Sequence, residues 1–259
     1  MENTEPPRTI DLNADLGEGF GRYRLTDDDA LLSLASSANI ACGFHAGDPV
    51  IMDRTVRAAR ERGVAIGAHP SYPDLVGFGR RDMDATPEEI TAFVRYQIGA
   101  LEAFCRAAGT RLRYVKPHGA LYNRAARDPR TAGAIAEGVR QATPHLVLLG
   151  LAGSELLAAA AKVGVASAAE AFIDRAYLSD GTLVPRTRPG AVIEDAAAAV
   201  ARAVALARRQ PIRAIDGTEL RIRADSLCVH GDTPDAVALL RAVRSGLEAE
   251  GVSIAPFAP

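Results

Sequence analysis

The chain has 259 residues, 48% of them hydrophobic and 24% charged, with a formal net charge of -2. That balance describes a globular protein with room for one large core and excludes a generally basic, nucleic-acid-binding surface. Tryptophan is absent and the three cysteines are scattered, which excludes a tryptophan sugar platform, a disulfide framework and a structural zinc knuckle.

The chain opens with "MENTEPPRT", polar and proline-containing; with no apolar core segment, no signal peptide is expected. No run is long enough to span a membrane, so the expected location is the cytoplasm. Short apolar runs then read as buried strands at 9–14, 38–42, 64–68, 113–115, 146–151, 165–169 and 226–229. Between them lie helical segments, at 50–62, 86–108, 128–141, 154–162, 194–209 and 233–250. The clearest start is Thr86-Pro87-Glu88-Glu89, where Thr86 can cap, Pro87 suits the first turn and Glu89 can reach back. Gly63, Gly109 and Gly164 follow helices as stop residues. Strand–helix alternation without a linker or repeat predicts one parallel α/β domain over 1–259. Strands apolar on both sides fit a sheet covered by helices.

The strands end in chemistry. The first gives Asp11, Asn13, Asp15 and Glu18, the second His45 and Asp48, the third His69, Ser71, Tyr72 and Asp74. The fourth gives Lys116, His118 and Tyr122, the sixth Glu170, Asp174, Arg175 and Asp180, and the last His230 and Asp232. Four of the five histidines thus occupy one topological position, and only His145 falls at the opposite end of a strand. Polar groups on nearly every strand end suit the rim of a closed β/α barrel better than the single crevice of an open sheet.

Each residue has a plain alternative. Asp15 and Glu18 can serve as acid and base, or as a turn held by Asx bonding. Lys116, one of only two lysines, can act on substrate or simply pair with Asp11 or Asp15. The glycine-bearing loop 74–84 carries Arg80 and Arg81, forks for a substrate carboxylate or phosphate; otherwise it is solvated surface. A second loop, 180–186, ends in Arg186. Asp174 and Arg175 can bind substrate or pair with each other. Asp15, His45 and His118 form a carboxylate–imidazole set of the kind that holds a divalent metal, although no His-x-x-x-His pair occurs. No P-loop, dinucleotide fingerprint or nucleophile elbow is present.

The segments "DLNADLGEGFG", "NIACGFHAGDP", "GAHPSYPDLVGFGRR", "VKPHGALYN", "EAFIDRAYLSDGTLVPR" and "CVHGDTP" together resemble the LamB/YcsF family, from near residue 9 to near residue 250. The resemblance implies a seven-stranded parallel β/α barrel of the glycoside hydrolase/deacetylase type. It also implies a place beside subunits B and C of a 5-oxoprolinase complex that opens 5-oxo-L-proline to L-glutamate with hydrolysis of ATP. Without a P-loop here, ATP is expected on the partner subunits. On this reading Asp15, Glu18, His45, His69, Lys116, His118, His230 and Asp232 are catalytic candidates. Asn13, Asp48, Arg80, Arg81, Asp174 and Arg175 are substrate-binding candidates. The rivals are a metal-dependent carbohydrate deacetylase or amidohydrolase, active alone, and a non-catalytic scaffold.

Overall fold

The computed structural model describes residues 9–193, 195–229 and 235–258. Its order is β1 (Thr9–Leu16), α1 (Asp28–Leu32), β2 (Ser37–Ala41), α2 (Pro49–Glu61), β3 (Ala65–His69), α3 (Pro87–Ala107), β4 (Tyr114–Val115), α4 (Gly119–Ala125), α5 (Pro129–Ala142), β5 (Val147–Leu151) and α6 (Glu155–Val163). It continues with β6 (Ser167–Phe172), α7 (Ala196–Ala207), β7 (Ile212–Arg213), β8 (Glu219–Leu220), β9 (Ser226–Val229), α8 (Ala236–Ala249) and β10 (Ser253–Ile254).

Seven strands close the barrel. Parallel pairing runs β1-β2-β3-β4-β5-β6-β9, and β9 pairs back onto β1. This is the ring that the polar strand ends predicted. β10 adds to β1 at the N-terminal end, where Phe257 packs edge-on against Tyr114 at 4.9 Å. Helix starts are set locally: Thr86 and Glu89 make the full capping box, and Asp48, Asp128 and Asp195 each accept from two backbone N–H groups. Gly164, left-handed at φ 75°, ends α6.

One expectation about the strands is corrected. They are not apolar on both faces. In β1, Ile10, Leu12, Ala14 and Leu16 join the hydrophobic core, while Asp11, Asn13 and Asp15 alternate into the barrel. Those polar residues stack into a hydrogen-bonded column. At its floor Asp11 accepts from Ser36 and Ser37, each at 2.6 Å, and from Ser226. Asn13 donates to Ser226 at 2.7 Å and Glu170 at 2.9 Å. Asn39 donates to Asn13 at 2.7 Å and to Asp15 at 2.8 Å, and accepts from Tyr114 at 2.7 Å. Gly67 makes room for Tyr114, because a Cβ there would meet its ring. A buried polar network of this kind is tolerable only because its members satisfy one another.

The floor carries a pH dependence. Burial raises Asp11 from 3.8 to about 6, against the lowering effect of its serine hydrogen bonds. The folded carboxyl therefore holds a proton that the unfolded chain has already lost. Stability is greatest below the unfolded pKa and declines by about 3 kcal/mol as pH rises to about 6. Asp11→Asn is expected to flatten this slope in denaturant titrations between pH 4 and 6.5; an unchanged slope would assign the proton elsewhere.

Candidate active site

The C-terminal ends of the barrel strands converge on a buried cluster. Asp15 and Glu18 follow β1, His45 follows β2, His69 ends β3, and Lys116 and His118 follow β4; all are at most 4% exposed. Glycines allow these turns. Gly47, at φ 79°, would place a Cβ 3.0 Å from the Gly17 carbonyl oxygen. Gly79, at φ 63°, would drive one into Ser71, His45 and His118. The loop after β3 can thus lie directly on the imidazoles, with the Phe78 ring 5.5 Å from His45 and 5.3 Å from His118.

His45 and His118 stack with ring centroids 3.8 Å apart and 7° between planes. Glu18 Oε1 lies 3.2 Å from His45 Nε2 and 3.6 Å from His118 Nδ1. Two carbonyls fix the tautomers: His69 Nδ1 donates to Lys116 O at 2.7 Å, and His118 Nε2 donates to Phe78 O at 2.8 Å. His69 Nε2 and His118 Nδ1 then face each other at 3.0 Å. Two lone pairs cannot do so unaided, so the arrangement calls for a further proton or a metal ion between them. One ligand atom each from Glu18, His45, His69 and His118 falls within a 4.8 Å span. Two imidazoles held by backbone carbonyls, with His45 and a carboxylate beside them, fit a divalent cation. This corrects the expected ligand set. Asp15 Oδ1 lies 3.4 Å from His69 Nε2 but is shared with Lys116 and Asn39, and the four groups that converge are Glu18, His45, His69 and His118.

Lys116 sits in an anionic cradle, 2.9 Å from Glu170 and 3.2 Å from Asp15, with Asn13 Oδ1 at 3.1 Å and the Cys228 thiol at 3.0 Å. Burial opposes its charge, but Asp15 and Glu170 outweigh it, and the ammonium holds its proton well above the ordinary range. Glu170 also accepts from Tyr122 at 2.7 Å. His45 and His118 go the other way. Burial and the neighbouring imidazoles push both well below 6.5, so they are neutral and offer lone pairs.

Beside the cluster opens a cavity of about 560 Å3. Asp15, His69, Lys116 and His118 form one wall, and Arg80 and Arg175 reach it from elsewhere. Arg81 does not line it; it clamps Asp74 within its own loop. Asp48 does not line it either. It caps α2, accepting from Val50 at 2.8 Å and Ile51 at 2.9 Å, and takes a further bond from Gly21 at 2.8 Å. Asp48→Ala is expected to cost about 1 kcal/mol in denaturant unfolding and to leave turnover unchanged. Lys116 pairs with Asp15 as one plain alternative supposed, but Asp11 lies on the barrel floor, away from it. Arg175 donates to the Ala191 and Val184 carbonyls, and Asp174 is wholly buried next to it. His145, exposed before β5, bonds Thr143 at 2.9 Å. His230 and Asp232 lie outside the described residues.

Sequence reading passed over Asn39, Tyr114 and Cys228 and undervalued Glu170. The signal for β1 and β6 was a period of two: Asp11, Asn13, Asp15 and then Ala168, Glu170, Phe172 share the inward face.

Among the described residues no helix is long and apolar enough to cross a membrane. The chain matches the LamB/YcsF family over residues 10–259. It is 61% identical over 249 residues to a Streptomyces avermitilis protein named as the A subunit of 5-oxoprolinase, covering 96% of this chain and 100% of that one. It is 57% identical over 249 residues to an Agrobacterium fabrum protein that is also named as a 5-oxoprolinase A subunit, covering 96% and 98%. The crystal structure of a lactam utilization protein from Thermus thermophilus superposes with a TM-score of 0.91 at 48% identity, over 96% of this chain and 100% of that one. Near-complete coverage at these identities leaves one conclusion: the chain belongs to the LamB/YcsF family.

Proposed function

We propose that this chain is the hydrolytic subunit of an ATP-dependent 5-oxoprolinase, opening 5-oxo-L-proline to L-glutamate in a complex with subunits B and C. The observation that carries the reading is the buried Glu18–His45–His69–His118 cluster, whose His69 and His118 line a cavity with Asp15, Lys116 and arginines in its walls. Its relatives' names supply the substrate.

The need for ATP follows from the substrate. In glutamate the amine and side-chain carboxyl are tethered, so ring closure competes strongly with hydrolysis. Phosphorylation of the amide oxygen by the partner subunits activates the ring carbon. In the metal-free cluster, neutral His118, which lines the cavity, accepts the proton of the attacking water. Lys116, pinned between Asp15 and Glu170, supplies a fixed positive charge for the oxyanion that develops. Arg80 takes the substrate carboxylate. Asp15 positions Lys116 and His69 rather than acting as the free base. A divalent cation, where bound, is held by Glu18, His45, His69 and His118 and supplies Lewis-acid polarisation.

The test is glutamate release from 5-oxoproline by the chain co-purified with its partner subunits. Release is expected only from the assembly and only with ATP. Release by the chain alone without ATP, or full activity after single alanine substitution of Asp15, His45 and His118, overturns the reading.

A further inference from the structure

The cavity has two chemically different ends. Asp15, His69, Lys116 and His118 occupy one. At the other, Arg80, Arg127, Arg175 and Arg186 line the same space. Arg175 is the unusual member. It is 4% exposed, yet among the described residues it forms no ion pair; its Nε and Nη2 donate to the Ala191 and Val184 carbonyls. Those bonds fix the guanidinium and leave Nη1 for the cavity. Burial and repulsion from Arg186 and Arg80, partly offset by Asp174, bring its pKa down to about 10, and the guanidinium stays charged at neutral pH. Leu178, Leu183 and Val184 complete this end, and such apolar walls strengthen any ion pair formed against them.

One bidentate guanidinium satisfies one carboxylate. The lactam substrate proposed above has a single carboxylate, and Arg80 suffices for it. Arg175, held by its two carbonyls, and the exposed Arg127 and Arg186 are then a surplus of donors and charge. A planar monoanion does not use that surplus; a tetrahedral dianion does.

We propose that the Arg127–Arg175–Arg186 end of the cavity is a phosphoryl-binding subsite, which takes the phosphate of a substrate phosphorylated on its amide oxygen elsewhere in the assembly. The inference rests on the ring-opening reading. Its chemistry balances with two waters. The first water bonds through oxygen to the ring carbon, its proton passes to an imidazole of the cluster, and the carbon–nitrogen bond breaks. The nitrogen keeps the electron pair and takes a proton, leaving an acyl phosphate. The second water attacks the same carbon, and the carbon–oxygen bond to phosphate breaks. Glutamate and inorganic phosphate are the products. Holding the phosphoryl group throughout keeps the acyl phosphate extended and delays attack on it by the freed amine, which would close the ring again.

The experiment is calorimetric titration of the purified chain with inorganic phosphate, and with acetate as the monoanionic comparison. Phosphate is expected to bind, and acetate to bind at least tenfold more weakly. Arg186→Gln, at an exposed position and so compatible with folding, is expected to weaken phosphate about tenfold or more. Arg188→Gln, on the same loop but outside the cavity lining, is expected to leave it unchanged. No binding of phosphate by the wild type, equal binding of acetate, or wild-type affinity in Arg186→Gln each overturns the subsite. These outcomes are separable from the function itself. Turnover by the assembly without phosphate binding removes only the subsite, and phosphate binding without turnover removes only the ring-opening reading.

Discussion

Lys116→Met is expected to destabilise the chain by about 3–5 kcal/mol, the usual consequence of removing one partner from a buried charge network. The reason lies in what stays behind. Asp15 and Glu170 would remain in the barrel without the ammonium that both contact, at 3.2 and 2.9 Å. One of them is then expected to take up a proton, because an uncompensated buried carboxylate has a raised pKa. Since the folded state would bind that proton more tightly than the unfolded chain, the variant's stability should fall as pH rises from 5 to 8, a trend introduced by the substitution. Adding Glu170→Gln should recover a large part of the loss, and the non-additivity measured by urea unfolding of the four members of the cycle reports the coupling. A single variant as stable as the wild type would mean that Lys116 does not carry the charge balance of the column. Turnover by the assembly should also drop, by about 10²–10³, since a preorganised charge is removed from the reacting carbonyl.

His118→Ala is expected to lower turnover by about 10²–10⁴ with little change in unfolding free energy. His118 touches Glu18, His45, His69 and the Phe78 carbonyl, yet it belongs to no hydrophobic packing layer of the barrel. Its loss removes a lone pair from the cluster and frees the loop after β3 from one of its anchors. If the residue only anchored that loop, KM would rise and kcat would hold. If it acts on the reacting atoms, kcat falls. His118→Asn separates these further, since a side-chain amide can still donate to Phe78 O but cannot relay a proton.

Most strand and helix positions were legible because their causes are local. The capping box at Thr86 and Glu89, and the aspartate caps at Asp48 and Asp128, need only a few neighbouring residues to form. Short elements such as α1, β7 and β8 were not foreseen, since a few residues carry no usable period. The excursion between β6 and β9 has only a loop and a helix in its sequence pattern; the fold adds bridges at Arg175 with Val192 and at Tyr177 with Leu183, which set the arginine end of the cavity.

The sequence by itself determined the alternation of strands and helices, the closure into a ring and the side of the barrel where the histidines gather. Period, caps and strand-end residues are written along the chain, and a parallel barrel brings like ends together whatever the details. Only the tertiary structure decided which groups meet. It paired Glu18 with His45 and His118, set Asp15 between His69 and Lys116, gave Glu170 to Lys116, made Asp48 a helix cap and turned Arg81 back onto Asp74. Those choices depend on the register and stagger of seven strands and on where glycines let loops fold inward. Residues more than a hundred positions apart, such as Asn13 and Lys116, acquire their chemistry only from that geometry.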